Sequence, residues 1–287
     1  MKPVIKGATV VLTVCLAVVV GTTAFNNASL SRPTRGDLQV QLTNSLYLGT
    51  EWAREHAQDL LTRPNSALFH MITDMARISG NGVMAGLSAA YLRQDDHSIW
   101  RRLSDKKRSA EAPSLEDLKD LQDYQQWILY ALDPARVALG PEEIEHMFDP
   151  EMHASGSLTH QLFALKVYRE FQGSTDQLDA LIDHLCERIA REALVDFRVS
   201  DIYLQRVAFV LAAGRPDLVK PRWVERILAN QRDDGGWTYP WYWWGPGLLR
   251  FHAHIPAPTA HPTIQGLWVL YQIQYRYPDW IASHYPE

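Results

Sequence analysis

Cysteine is nearly absent from this chain: Cys15 lies in an apolar run near the start, and Cys186 stands alone in the remainder. An internal disulfide in the globular part is therefore excluded. Cys186 shares a helical face with Leu178, Leu181, Ile182, Leu185 and Ile189, the setting of a buried core thiol rather than a nucleophile. Excess positive charge is missing too. The net charge is −5, the pI is near 6.1, and no basic stripe interleaved with aromatics occurs, so nucleic acid is excluded as a partner. There is no Gly-x-Ser-x-Gly elbow, P-loop or dinucleotide fingerprint. Beyond the first apolar run no second membrane span follows.

That first run is a targeting segment. Lys2 and Lys6 precede the apolar stretch Ala8 to Val20, and no charge follows until Arg32. Extended through Phe25, the uncharged run approaches the roughly 20 residues that span a bilayer. The sequence thus divides into a signal anchor or signal peptide over 1–25, a linker over 26–38 and one globular domain over 39–287. The basic start places the N-terminus in the cytoplasm and the domain outside it, periplasmic or extracellular. The alternative is secretion after cleavage near Ala24. At 46% hydrophobic residues, the remaining chain has enough apolar content for a full core.

Helical periodicity runs through that domain. Patterns over 39–62, 67–78, 83–92, 115–132, 157–171, 176–194, 200–213, 221–231 and 263–275 each read as helix, with Ser-Gly-Asn-Gly at 79–82, Asp133-Pro134, Gly173 and Gly214-Arg215-Pro216 as stops. Residues 95–112, rich in arginine and lysine, read as a solvated connector. From residue 115 onward, helices apolar on one face alternate with helices apolar all round, as in an outer ring shielding an inner one. The all-round helices start alike, at Thr159-His160-Gln161-Leu162, Tyr203-Leu204-Gln205-Arg206 and Thr263-Ile264-Gln265-Gly266. Gln161 and Gln205 are 44 residues apart, Gln205 and Gln265 are 60 apart, and the excess matches a tryptophan-rich insertion. Toroid and solenoid both satisfy this periodicity.

Ten tryptophans are present, five of them between residues 223 and 244. They surround Gln231-Arg232-Asp233-Asp234-Gly235-Gly236-Trp237, where Gly235-Gly236 ends an amphipathic segment. This Gln-x-x-Asp-Gly-Gly-Trp pattern resembles the QW motif of squalene–hopene and oxidosqualene cyclases. The likeness extends to His261-Pro262-Thr263-Ile264-Gln265-Gly266-Leu267, similar to an inner-helix start in that family. The resemblance implies an all-α (α/α) toroid, or incomplete α/α barrel of helix hairpins, of the terpenoid cyclase and protein prenyltransferase type. In that family Gln231 would cap a neighbouring helix and Trp237 would stack against it. The chain departs from the family's chemistry: it has neither the Asp-x-Asp-Asp acid nor Asp-Asp-x-x-Asp, and one toroid's length rather than two. Polysaccharide lyases, another toroid class, also use Asp-Gly-Gly-Trp followed by aromatics.

The residues left for a site cluster at the expected mouth. His160, Asp201 and His261 are catalytic candidates, with capping or packing as their structural alternatives. Tyr203, Asp234, Trp237, Trp241, Trp243, Trp244 and Arg250 are binding candidates, the rings suited to sugar faces or an apolar cavity. His252, His254 and His261 could supply three nitrogens to zinc, although their spacing is not a strong metal signature. The loop Tyr239 to His261 is expected to wall a cavity at the mouth. Two functions remain: a non-catalytic binding or scaffold module at the membrane with an aromatic-lined cavity, or an enzyme on an isoprenoid or polysaccharide. The partners implied are the membrane, through the N-terminal helix, and an isoprenoid, lipid or glycan ligand.

Overall fold

The computed structural model describes residues 2–28, 32–94, 97–111, 113–152, 157–244 and 251–287; for residues 2–11, 115, 157, 241–244 and 251–253 it describes the backbone alone. Among the described residues the protein is all-α apart from one hairpin. In chain order the helices are α1 (Lys2–Asn27), α2 (Arg35–Glu55), α3 (Ala57–Thr62), α4 (Ser66–Ser79), α5 (Gly82–Arg93), α6 (Leu115–Lys119), α7 (Asp123–Leu132) and α8 (Pro141–Phe148). Then come α9 (Ser157–Gln172), α10 (Asp176–Val195), α11 (Asp201–Ala213), α12 (Pro221–Ala229), α13 (Ala260–Tyr271) and α14 (Pro278–His284). A 3₁₀ turn spans Ile99–Leu103, and a π-helical segment, Gln272–Arg276, extends α13.

Local chemistry sets the helix ends. Asn65 accepts from the amides of Ala67 and Leu68, and Asn81 from Val83 and Met84, so two successive asparagines start α4 and α5. Gly80 between them closes α4 at φ +68°. Ser114 and Asp117 form a capping box at α6. The pattern over 115–132 is two helices rather than one, because the chain turns between Lys119 and Asp123 before α7 begins. The pattern over 39–62 is likewise broken at His56.

α13 packs against α4, α11 and α2; α11 packs against α9, and α9 against α7. The Ile99–Leu103 turn touches both α4 and α7, so residues 95–112 are not simply a solvated connector. Ile99 and Leu103 are buried, and so is Arg101, whose guanidinium lies 3.7 Å from the Tyr91 ring centre. Around these sit the one-sided helices: α5 on α4, α8 on α7 and α9, α10 on α9 and α11, α12 on α13 and α2.

The stretch 231–237 is a structural junction. The Trp237 ring is buried over Gly266 and its indole N–H donates to the Ile227 carbonyl at 2.9 Å, tying α12 to α13. The Gln231 amide donates to the carbonyls of Ser45 and Gly235, at 2.9 and 2.8 Å, which joins the turn to α2. Gly235 has φ +88°, and a Cβ there would stand 2.1 Å from the Leu48 carbonyl oxygen, so backbone passes where a side chain would be. Asp234 is exposed and accepts from the Gly236 amide at 3.0 Å.

Another junction lies inside α4. Asp74 is nearly buried, and both its oxygens accept from Arg276 at 2.7 Å, with Arg77 at 2.6 Å and the Trp268 indole at 2.8 Å. Burial alone would raise its pKa. The Arg276 charge and these hydrogen bonds outweigh that and bring it down to about 2. Cys186 is buried in α10, and burial pushes its thiol up to about 12.

At the other end of the chain, α1 is held by its last residues. Asn27 donates to the Leu194 carbonyl and accepts from the Trp223 indole, both at 2.8 Å, and Arg222 lies 5.3 Å from the Phe25 ring centre. Leu12, Val14, Leu16 and Val18 to Val20 are exposed. Among the described residues no helix is long and apolar enough to cross a membrane.

Candidate functional site at the helix N-termini

Helices α4, α7, α9, α11 and α13 each turn residues from their first two or three turns onto one cavity of about 330 Å³. α7 contributes Tyr124, Gln125 and Ile128; α9 His160 and Phe163; α11 Gln205 and Phe209; α13 His261 and Gln265. Asn65 and Met71 at the start of α4 and Trp100 of the 3₁₀ turn complete the wall. A second depression of about 390 Å³ shares Asn65 and His261 with it, and is bordered by Trp52, His56, Arg63 and Pro258. Helix N-termini carry unpaired amides and partial positive charge, so this end of the molecule suits electron-rich ligand groups.

Two of the polar side chains are tied together. His261 Nδ1 and Asp201 Oδ1 are 2.6 Å apart. With its amide nitrogen turned toward Asp201, Gln265 donates at 3.0 Å to both the carbonyl and Oδ1 of that residue. Asp201 thus accepts from two groups of α13, and the imidazole is oriented with Nδ1–H on the carboxylate. That assigns Nε2 as the nitrogen left to accept a proton or a ligand hydroxyl.

A second set lies on the facing helices. The Gln205 amide donates to His160 Nε2 at 3.3 Å and accepts from the Thr159 hydroxyl at 2.6 Å. The His160 ring stacks on Tyr124, with centroids 4.0 Å apart and planes 13° from parallel. Tyr124 has its phenol pKa raised by burial and stays protonated as a donor. His56 is stacked in the same manner on Trp52, at 4.0 Å.

The structure therefore brings His160, Asp201 and His261 to one place. Tyr203 and Trp237 are buried in the packing and do not line the cavity; Tyr203 lies under Arg226, 4.7 Å from guanidinium carbon to ring centre. The expected loop 239–261 contains an antiparallel hairpin of β1 (Trp241–Trp244) and β2 (Phe251–His254), pairing Trp241 with His254 and Trp243 with His252. His254 is exposed, and the side chains of Trp241, Trp243, Trp244 and His252 lie outside the described residues, as does Arg250 altogether. Among the described residues no three His, Cys, Asp or Glu side chains stand close enough to hold a metal ion, and His261 directs Nδ1 to Asp201 instead.

Sequence reasoning missed Tyr124, Gln205, Gln265, Trp100 and Asn65 as site residues. The recurring glutamines at the helix starts were the available signal for two of them. Gln161 shows why the signal was incomplete: it faces the other way and donates to the carbonyls of Met147 and Asp149. Comparison with protein-family models, with curated proteins and with solved structures returns no match for this chain.

Proposed function

We propose that the chain is a membrane-anchored, extracytoplasmic α/α toroid that binds a glycan at its mouth, a binding module related in fold to the terpenoid cyclases. The order of packing supports the ring: α4, α13, α11, α9 and α7 each touch the next, and the Ile99–Leu103 turn touches both α7 and α4. The docking of Phe25 and Asn27 on α10 and α12 supports an N-terminal helix that stays with the domain.

The observation that carries the ligand class is the composition of the cavity wall. Side-chain amides (Asn65, Gln125, Gln205, Gln265) and imidazoles (His160, His261) alternate with the rings of Trp100, Tyr124 and Phe163. A sugar matches both halves: its C–H face lies on aromatic carbon, and its hydroxyls exchange hydrogen bonds with amides and imidazoles. An isoprenoid tail would match the rings alone and set apolar carbon against the amides and imidazoles.

A second reading, an enzyme acting on the bound glycan, is favoured by the Asp201–His261 pair. A carboxylate on Nδ1 stabilises the imidazolium that forms when Nε2 takes a proton, which is the arrangement of a general base.

The test is calorimetric titration of the full chain in detergent with neutral and uronic-acid tetrasaccharides, and with farnesyl phosphate as the apolar counter-probe. A tetrasaccharide is expected to bind, and Tyr124→Ala to weaken it roughly tenfold, a loss of about 1.4 kcal/mol. Binding of farnesyl phosphate alone overturns the glycan reading. Chain cleavage lost in His261→Gln, with binding retained, selects the enzyme.

A further inference from the structure

The far end of the same helices holds a second cavity, larger than the first, at about 540 Å³. It is lined by another face of α4 (His70, Thr73, Asp74, Arg77) and by α9 (Lys166, Glu170), with Ser104, Lys106 and Arg276. Four cations therefore face two carboxylates. Asp74 is saturated by Arg276, Arg77 and Trp268, and Glu170 pairs with Lys166, which is only 6% exposed. The Lys106 amine donates to the backbone carbonyl of Glu170 at 2.8 Å.

An excess of cations beside helix C-termini has an ordinary explanation, since the last carbonyls of α9 and α11 carry partial negative charge. That explanation leaves two atoms unaccounted for. His70 Nε2 and Ser104 Oγ are both buried and make no hydrogen bond. His70 Nδ1 lies 2.7 Å from the Leu103 carbonyl and must donate its proton there, so Nε2 carries a lone pair that needs a donor. Burial and the Lys166 charge both keep this imidazole neutral. Buried polar atoms are as a rule hydrogen-bonded, and these two stand together in one cation-rich cavity.

We propose that this cavity binds hydrogen phosphate or the phosphoryl group of a monoester. The required ligand has anionic oxygens for the Lys166 and Lys106 amines, an acceptor for the Ser104 hydroxyl, and a hydroxyl of its own to donate to His70 Nε2. Inorganic phosphate keeps a P–OH at neutral pH, and a monoester keeps one as its monoanion near its second pKa of about 6, so either provides all three. Sulfate and simple carboxylates are fully deprotonated at neutral pH and would set an acceptor against the Nε2 lone pair.

The experiment is thermal unfolding and calorimetric titration of the full chain in detergent with sodium phosphate, glycerol 3-phosphate and sodium sulfate at one ionic strength and about pH 6, where a monoester still carries a P–OH. Phosphate or its monoester should raise the melting temperature and bind, with sulfate weaker by about tenfold or more. A response to inorganic phosphate alone assigns a free-ion site; tighter binding of glycerol 3-phosphate assigns a monoester. Lys106→Gln, at an exposed position that does not risk the fold, should weaken phosphate by roughly tenfold. His70→Gln, whose amide both donates and accepts, should narrow the preference over sulfate. The proposal is overturned if neither phosphate nor glycerol 3-phosphate binds the cooperatively folding protein at millimolar concentration, or if sulfate binds as well as phosphate.

Discussion

The two cavities share α4, α9 and α11 in their walls and are chemically opposite. At the N-terminal end the polar groups are amides and imidazoles, the imidazoles partly exposed and Gln205 and Gln265 buried behind them, each tied to one or two neighbours. At the other end they are ions, with Asp74 receiving hydrogen bonds from three different side chains. A side chain with one neutral partner can exchange it for a ligand at little cost, whereas a buried carboxylate saturated by two arginines and an indole cannot. The open end is suited to exchange with ligands, and the Asp74 network to holding α4 against the end of α13.

Substitutions can break that comparison, beginning at the rigid end. Asp74→Ala leaves the Trp268 indole without its acceptor and strips Arg276 of its carboxylate, and should cost about 3–5 kcal/mol in denaturant unfolding. Trp237→Ala should cost a similar amount, about 3–5 kcal/mol, because its ring fills the joint between α12 and α13. Gly235→Ala should lose about 3 kcal/mol in the same assay, since even one methyl collides with the Leu48 carbonyl at a positive φ. Wild-type stability in all three would mean that these junctions do not hold the helices together.

Acid sharpens the contrast. The Asp74 carboxyl is depressed from 3.8 to about 2 in the folded protein, so its contribution is complete above the unfolded value and disappears as pH falls from near 4 toward 2. Wild-type stability should drop by about 2 kcal/mol through that window relative to Asp74→Asn, which has no carboxyl to titrate there. The smallest effect belongs to the open end: Tyr124→Ala removes a half-buried ring stacked on one histidine, and should change stability by about 1 kcal/mol while weakening the ligand.

How much of this could be read in advance depended on sequence distance. Helices with a local cap and stop, such as Asn65 to Gly80, were legible because each signal lies within a turn of what it controls. The turn at Gly235-Gly236 was legible for the same reason. His160, Asp201 and His261 could each be singled out at a helix start, but the hydrogen bond between Asp201 and His261 joins positions 60 residues apart. Asp74 attracted no notice, since its partner Arg276 is 202 residues away and a lone acid in an amphipathic helix looks solvated. Residues 95–112 misled through composition. Their arginines are held by an aromatic face at Tyr91, by the Gln94 amide and by the Asp133 carboxylate, none of which belongs to the charge pattern itself. The hairpin at 241–254 was hidden by its tryptophans, which suited a cavity-walling loop equally well.

The account turns on what occupies the open end. A structure of the protein determined with a bound tetrasaccharide tests it most directly. The account predicts a pyranose face on Tyr124 or Trp100, with hydroxyls within hydrogen-bond distance of Gln205, Gln265 and His261 Nε2. A sugar bound only elsewhere, with the Asp201–His261 cleft left to solvent, would contradict it.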